Sequence, residues 1–331
     1  MKKIIFFLIL GIAVLYFLLM NEKFLVRRSY LLPSGHIIYA GYTKKAAAIL
    51  SMDLKAKKIK TLHENMGLLS TTSSVSKIDD DWILFGMESF GKDFKDAKNL
   101  IKDAAEGKRL ETFFKKFGDA KNTIVKLNIK TGEAVPLRQG SAPLYMPAYN
   151  KILFLLFGNG DLYGLDSGLY IVDANDVSKA KFITECPTDY NHLIQVSDSE
   201  IVFLSHAEDE LSLYDIKTDK TTVLPIKNCP CPAVWRDKTK QLICYDREKN
   251  EYFLTSLDNK RVEKLPFEYD TPVLYIPEKD KLIMMVSSIY VGIHGMGEVH
   301  NLWVYDFTTG KKELLSKYNG FRAGDGIYLP E

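Results

Sequence analysis

The chain is poor in the motifs that mark cofactor sites or standard catalytic centres. It contains no Gly-x-x-x-x-Gly-Lys-Ser/Thr and no Gly-x-Gly-x-x-Gly run, so no segment is shaped to cradle nucleotide phosphates. Gly-x-Ser-x-Gly, the elbow that presents a serine nucleophile, is absent too. Charge of one sign is also lacking. Lys and Arg number 44 against 42 Asp and Glu, a formal net charge of +2, which gives no support to a nucleic-acid partner. Cysteines number four and histidines six, and the twin Cys-x-x-Cys spacing of a structural zinc site is missing. No low-complexity linker divides the chain after its first thirty residues.

What is present is a repeat. Leu211-Ser-Leu-Tyr-Asp215 and Leu302-Trp-Val-Tyr-Asp306 are each followed by a turn and a second apolar-polar run. Six copies place a polar or small residue at a strand end and an apolar residue nine positions on. The pairs are Asp53/Leu62, Asn128/Leu137, Asp173/Phe182, Asp215/Leu224, Ser256/Leu265 and Asp306/Leu315. Most copies recur at about 40–45 residues, the length of a four-stranded propeller blade. The Asp, Asn or Ser side chain has a local task, accepting a backbone N–H of the turn that follows. Gly132 and Gly310 then supply positive φ. These carboxylates are accordingly read as structural.

A second hairpin precedes each of these. Tyr145-Met-Pro147 leads to Ile152, Tyr275-Ile-Pro277 to Leu282, and Ile194/Ile201, Trp235/Leu242 and Val75/Trp82 keep the same separation. The runs 152–157, 201–204 and 282–286 are nearly all apolar, as expected of strands buried on both faces between neighbouring blades. Two hairpins per blade give six blades, roughly 30–62, 69–137, 143–183, 190–224, 231–265 and 272–315. Tyr30-Leu-Leu-Pro33 and Tyr328-Leu-Pro330 both copy the start of an inner strand, and one of them is expected to complete the first blade and close the ring. The predicted fold is all-β: a six-bladed β-propeller with an N-terminal transmembrane helix and a short helical insertion in the second blade.

The Tyr-Asp-x-x-Thr-Gly strand ends resemble those of the bacterial TolB and YVTN propellers, over about residues 30–331. The resemblance implies architecture and carries no catalytic residues with it. The Gly-His and Trp-Asp pairing, the kelch Gly-Gly doublet and the sialidase Asp box are not found.

Ahead of the ring, Lys2 and Lys3 precede an uncharged, mostly apolar run over residues 4–20, near the minimum length for a membrane-crossing helix. A cleaved secretory signal wants small residues before the cut, and here Val14 to Met20 are bulky or aromatic. No cysteine follows the run, which excludes a lipoprotein-type cut. A retained anchor is favoured, with residues 1–29 as anchor and tether and residues 30–331 as the propeller. Positive charge is nearly balanced across the run. The very short leading flank argues for a propeller outside the cytoplasm, on the periplasmic or extracellular side of a bacterial cell membrane.

Residues 87–122 interrupt the second blade. Phe94, Ala97, Ile101, Ala104 and Ala105 share one helical face, and Leu110, Phe113, Phe114 and Phe117 share another, so two short amphipathic helices are predicted. This insert joins the second and third strands of its blade. Two further connections of that kind are read as long loops, 158–168 and 287–301. All three fall on one face, where a propeller usually builds its site.

The residues expected on that face are Asp161, Tyr163, Asp166, His192, His206, Tyr290, His294, Glu298 and His300. The His294, Glu298, His300 spacing could hold a metal, but on a Gly-rich loop it is read as surface polarity, and no metal or cofactor is assigned. Tyr163 and Tyr290 could stack a sugar or peptide, while Trp82, Trp235 and Trp303 are read as blade packing. For Cys186, Cys229, Cys231 and Cys244 two disulfides are considered. Cys231–Cys244 would bridge strands across the turn near Asp237, and Cys186–Cys229 would join the starts of adjacent blades. The favoured function is a binding or scaffold module for a protein, peptide or glycan, without turnover. The alternative is a hydrolase or lyase with a metal or paired carboxylates on the ring axis.

Overall fold

The computed structural model describes residues 35–42, 47–56, 58–65, 71–89, 121–156, 168–186, 193–205, 210–227, 229, 231–246, 248–267, 270–292, 295–316 and 321–329. The chain divides into two units, residues 1–33 and residues 34–331. The regular elements of the second, among its described residues, are all strands apart from two single-turn 3-10 segments at Pro147–Tyr149 and Pro277–Lys279. The predicted anchor and the predicted insert helices lie outside the described residues. No helix among the described residues is long and apolar enough to cross a membrane.

Six antiparallel four-stranded sheets form the ring. The first contains β1 (His36–Tyr42), β2 (Ala47–Asp53) and β3 (Ile59–Asn65). The second is β4 (Thr71–Lys77), β5 (Trp82–Ser89), β6 (Lys121–Asn128) and β7 (Ala134–Gln139). The third is β8 (Ser141–Met146), β9 (Lys151–Leu156), β10 (Gly168–Asp173) and β11 (Lys181–Glu185). The fourth is β12 (Ile194–Gln195), β13 (Glu200–Leu204), β14 (Leu211–Asp215) and β15 (Lys220–Val223). The fifth is β16 (Cys231–Arg236), β17 (Gln241–Asp246), β18 (Glu251–Thr255) and β19 (Arg261–Lys264). The sixth is β20 (Asp270–Ile276), β21 (Lys281–Gly292), β22 (Gly295–Asp306) and β23 (Lys311–Ser316). The last strand, β24 (Phe321–Leu329), takes the innermost place of the first sheet and pairs with β1 from His36↔Leu329 to Gly41↔Phe321. Of the two segments that could complete blade 1, the one holding Tyr328 does so.

Side-chain alternation explains how blades stack. In β9, Leu153 and Leu155 pack with Ile201, Phe203 and Tyr214 of blade 4. Ile152, Phe154 and Leu156, the intervening residues, pack with Leu84 and Ile124 of blade 2. Phe85 and Ile83 of β5 likewise turn to Ile38 and Ile49 of blade 1. The central residues of the middle strands are therefore mostly apolar on both sides, because both faces are covered. The outermost strands are polar by contrast: β15 is exposed throughout, Val223 included.

The expected disulfide pairings are both corrected. Cys229 bonds to Cys244, with the Cα atoms 5.2 Å apart, and Cys186 is a buried free thiol. Two features of the hairpin explain the shift. The turn pairs Arg236 with Gln241, so its centre falls after Lys238, and a bulge between Pro232 and Val234 moves the register again. Cys231 then stands opposite Tyr245, and Pro232 opposite Cys244. Cys229 and Cys244 pack with Val202, Leu204 and Leu242 between blades 4 and 5. Burial pushes the Cys186 thiol up to about 12, which keeps it protonated and inert.

The bridge closes a sequence separation of 15 residues. Removing such a constraint on the unfolded chain costs about 3 kcal/mol. Urea unfolding of Cys244→Ser should therefore show a stability loss of about that size. An unchanged midpoint would show that the bond contributes nothing.

Candidate functional site at the loop-rich rim

Because strands alternate in direction, the turns after first and third strands share one rim of the ring. The connections after second and fourth strands share the other. The first rim is built from tight turns whose polar groups are engaged locally. Asp53 Oδ1 accepts the N–H groups of Lys55 and Ala56 at 2.8 and 2.7 Å. Asn128 does the same for Lys130 and Thr131, and Asp306 for Thr308 and Thr309. Asp173 and Asp215 accept from Asn175 and Lys217. Backbone bonds lower the Asp53 carboxyl below its ordinary value, as expected for an acceptor fixed in its ionised form. Gly132 and Gly310 sit at φ 79° and 65°, each donating its N–H back to the strand-end residue at 2.8 Å. One member differs: the Ser256 hydroxyl donates to Asp258. The structural reading of these acidic residues holds.

A second lock on this rim went unread in the sequence. The Tyr145 hydroxyl donates to Asn150 Oδ1 at 3.0 Å, Tyr214 to Asp219 at 2.9 Å and Tyr275 to Asp280 at 3.0 Å. In each the acceptor lies five residues on, at positive φ. Tyr245 repeats the bond to Asn250 on the opposite rim. A tyrosine followed five places later by Asn or Asp was the available signal.

At the seam of blades 5 and 6 this lock becomes a buried cluster. Arg236 Nε and Nη2 donate to the two Asp280 oxygens at 2.9 and 2.8 Å. Lys238 adds an ion pair at 3.2 Å, and Tyr275 closes the set. The guanidinium lies 4.0 Å over the Phe307 ring, which packs edge-on to Tyr305. Burial pushes the Asp280 carboxyl up, but the bonds from Arg236, Lys238 and Tyr275 outweigh it and hold it at about 2. Both Asp280 oxygens are engaged by residues of blades 5 and 6, so the cluster is a joint between blades.

The other rim is irregular. β5 and β6 run on to Ser89 and Lys121, so the connection between them is 90–120, shorter at both ends than the 87–122 expected. It does join the second and third strands of blade 2. The expected long loop 287–301 is instead strand. β21 and β22 run twelve residues each, and pair from Lys281↔Asp306 to Gly292↔Gly295. β20 pairs only as far as Val286, and β23 only as far as Leu302. From Ser287↔His300 outward the two strands pair only with each other among the described residues, as a ribbon projecting from the rim. Gly292, Gly295 and Gly297 suggested a loop, yet cross-strand pairing carries them.

Inner strands bulge near the same rim. Register shifts occur between Ser73 and Val75, Ser141 and Leu144, Pro232 and Val234, and Pro272 and Leu274. Ser74 and Ala142 there take φ of 47° and 46°, a conformation non-glycine residues rarely adopt. Bulges re-aim residues at barrel and ring mouths.

Of the residues predicted for this face, Tyr290, Glu298 and His300 stand in the ribbon, opposite Gly297, Ile289 and Ser287. Asp161, Tyr163, Asp166, His192, His206 and His294 lie outside the described residues. Among the described residues no group of three or more His, Cys, Asp or Glu is arranged to hold a metal.

The fold is that of TolB-like six-bladed propellers. TolB from Acinetobacter baumannii superimposes with a TM-score of 0.59 at 13% identity, covering 90% of this chain and 67% of that one. A putative TolB from Agrobacterium tumefaciens gives 0.53 at 11%, covering 90% and 99%. A nidogen–laminin complex gives 0.57 at 9%, covering 88% and 97%. No protein-family model and no curated protein matches the sequence.

The joint at blades 5 and 6 has a testable pH signature. Asp280 has a folded-state pKa depressed from 3.8 to about 2, so its contribution is complete above 3.8 and lost as pH falls toward 2. Asp280→Asn should flatten the fall in melting temperature across that window. Arg236→Ala should cost about 3 kcal/mol by urea unfolding, because it strips a buried carboxylate of its main partner.

Proposed function

We infer that this chain is a membrane-tethered, extracytoplasmic propeller that binds a protein, peptide or glycan on its loop-rich rim. One observation carries the reading: the longest departures from a regular blade gather on one rim. The 90–120 connection, the projecting ribbon and the bulged inner strands all lie there. The opposite rim is a ring of short turns with engaged polar groups. Rigid blades carrying irregular connections on one side are the arrangement on which binding surfaces are built. A two-stranded ribbon paired only with itself is marginal in water, and gains stability by lying against a partner.

The tether rests on the uncharged run 4–20. The compartment is supported by the Cys229–Cys244 disulfide, a bond that persists in oxidising surroundings. No step of turnover follows from the described residues, and a binding role needs none.

The test is site-specific crosslinking in cells. A photoreactive residue at Tyr290 on the ribbon should capture a discrete partner, and one at Ala56 on the tight-turn rim should not capture the same species. Replacing 90–120 by a short turn should weaken capture while leaving the melting temperature unchanged. Equal capture from both rims would remove the basis of the reading.

A further inference from the structure

β22 has one edge that its blade covers only in part. On one side it pairs with β21 along its whole length, from Lys281↔Asp306 to Gly292↔Gly295. On the other, β23 reaches only from Asp306↔Lys311 to Leu302↔Ser316. From Gly295 to Asn301, about 20 Å of strand, this second edge has no ladder partner among the described residues. β23 is the outermost strand of blade 6, so the free edge is on the outer side of the sheet.

Sheet edges that stay single are guarded, most often by a charged residue, lysine above all, or by proline. The outermost strand of every blade follows this rule. β3 carries Lys60, β7 Pro136, β11 Lys181, β15 Lys220, β19 Arg261 and β23 Lys311. Residues 295–301, Gly-Met-Gly-Glu-Val-His-Asn, hold no Lys, Arg or Pro. Like charges opposed across a ladder are destabilising, so a guarding cation acts first of all against a copy of its own edge. Its omission here points to a second molecule of the same chain as the occupant.

The order of residues on this edge is complementary to itself. An antiparallel ladder centred on Val299 sets Val299 opposite Val299 of the second copy. It sets Glu298 opposite His300 and His300 opposite Glu298, and Gly297 and Asn301 close it at either end. Centring on Glu298 or on His300 would oppose like to like. Within one molecule Glu298 stands opposite Ile289 and His300 opposite Ser287, so the pairing between copies takes no charged partner away from the ribbon's own ladder.

We propose that two copies of this chain join by their β22 edges, antiparallel about a two-fold axis at Val299. The two ribbons then form one four-stranded sheet in the order β21, β22, β22, β21, with the same patch used by both copies. A lone two-stranded ribbon is marginal in water, and doubling its strands removes that weakness. A ladder of similar length already serves inside the ring, where β14 and β15 pair from Ser212↔Val223 to Asp215↔Lys220.

Full-length protein in detergent micelles tests the contact. Val299→Cys should form a disulfide between copies under mild oxidation, because residues directly opposed on an antiparallel ladder lie at bridging distance. Tyr290→Cys, on β21, should not. In sedimentation, His300→Glu should weaken dimerisation about tenfold, since it opposes two carboxylates twice over. The exchange of Glu298→His with His300→Glu keeps the opposite-charge pairs and should restore the parent's dimerisation. Melting temperatures of all variants should match the parent's, because the substitutions leave the ring untouched. Monomer at every concentration, equal bridging from Tyr290→Cys and Val299→Cys, a dimer indifferent to His300→Glu, or failure of the exchange to restore dimerisation overturns the proposal. The binding role proposed above stands or falls separately: a monomer that still captures a foreign partner from Tyr290 sinks the pairing alone.

Discussion

The ring depends on middle strands that are covered on both faces. Leu153 and Leu155 line one face of their sheet with Met146, Leu169 and Ile171, and Ile201, Phe203 and Tyr214 of blade 4 cover that face. Ile152 and Phe154 depend on blade 2 in the same way. At about 25 cal/mol per Å² of apolar surface, the hydrophobic term is therefore held at the seams between sheets. A single blade would leave two greasy faces in water. Stability, specificity of blade order and the absence of any small separable unit within the ring all follow from this.

The same constraint divides labour between the rims. A seam needs its blades at fixed spacing, and the tight turns supply it. Carboxylate and amide acceptors fix five of the six strand-end turns, tyrosine hydroxyls pin the left-handed residue at Asn150, Asp219 and Asp280, and the Arg236–Asp280 pair ties one blade to the next. With one rim doing this work, connections on the other are free to lengthen, to bulge and to project without disturbing the packed seams.

Much of this was legible in the chain. The six polar/apolar pairs, from Asp53/Leu62 to Asp306/Leu315, reveal blades because turn chemistry and period-2 burial are local and leave local traces. What failed to read was register and reach. The pairing of Cys244 hinged on a bulge beside Pro232, which no spacing rule shows. The ribbon from Ser287 to His300 looked like a loop because three glycines are poor strand formers, whereas ladder pairing overrides that preference. Arg236 and Asp280 lie 44 residues apart, and nothing in the order of residues brings them together before the ring exists. The Tyr-to-Asn/Asp spacing of five was readable and passed over, since tyrosine in a strand already has an explanation as packing.

The place of β24 beside β1 sets a timetable for making the ring. Phe321–Leu329 must travel back across nearly the whole sequence to reach its slot, so the last seam forms through the longest-range strand pairing among the described residues. In a chain delivered end first, five complete blades and a three-stranded remnant must wait as an open arc. During that wait β1 offers a bare row of N–H and C=O groups, the kind of edge that captures other chains. A holding factor at the site of delivery, or fast release of the final segment, would decide how much of the protein reaches the closed form.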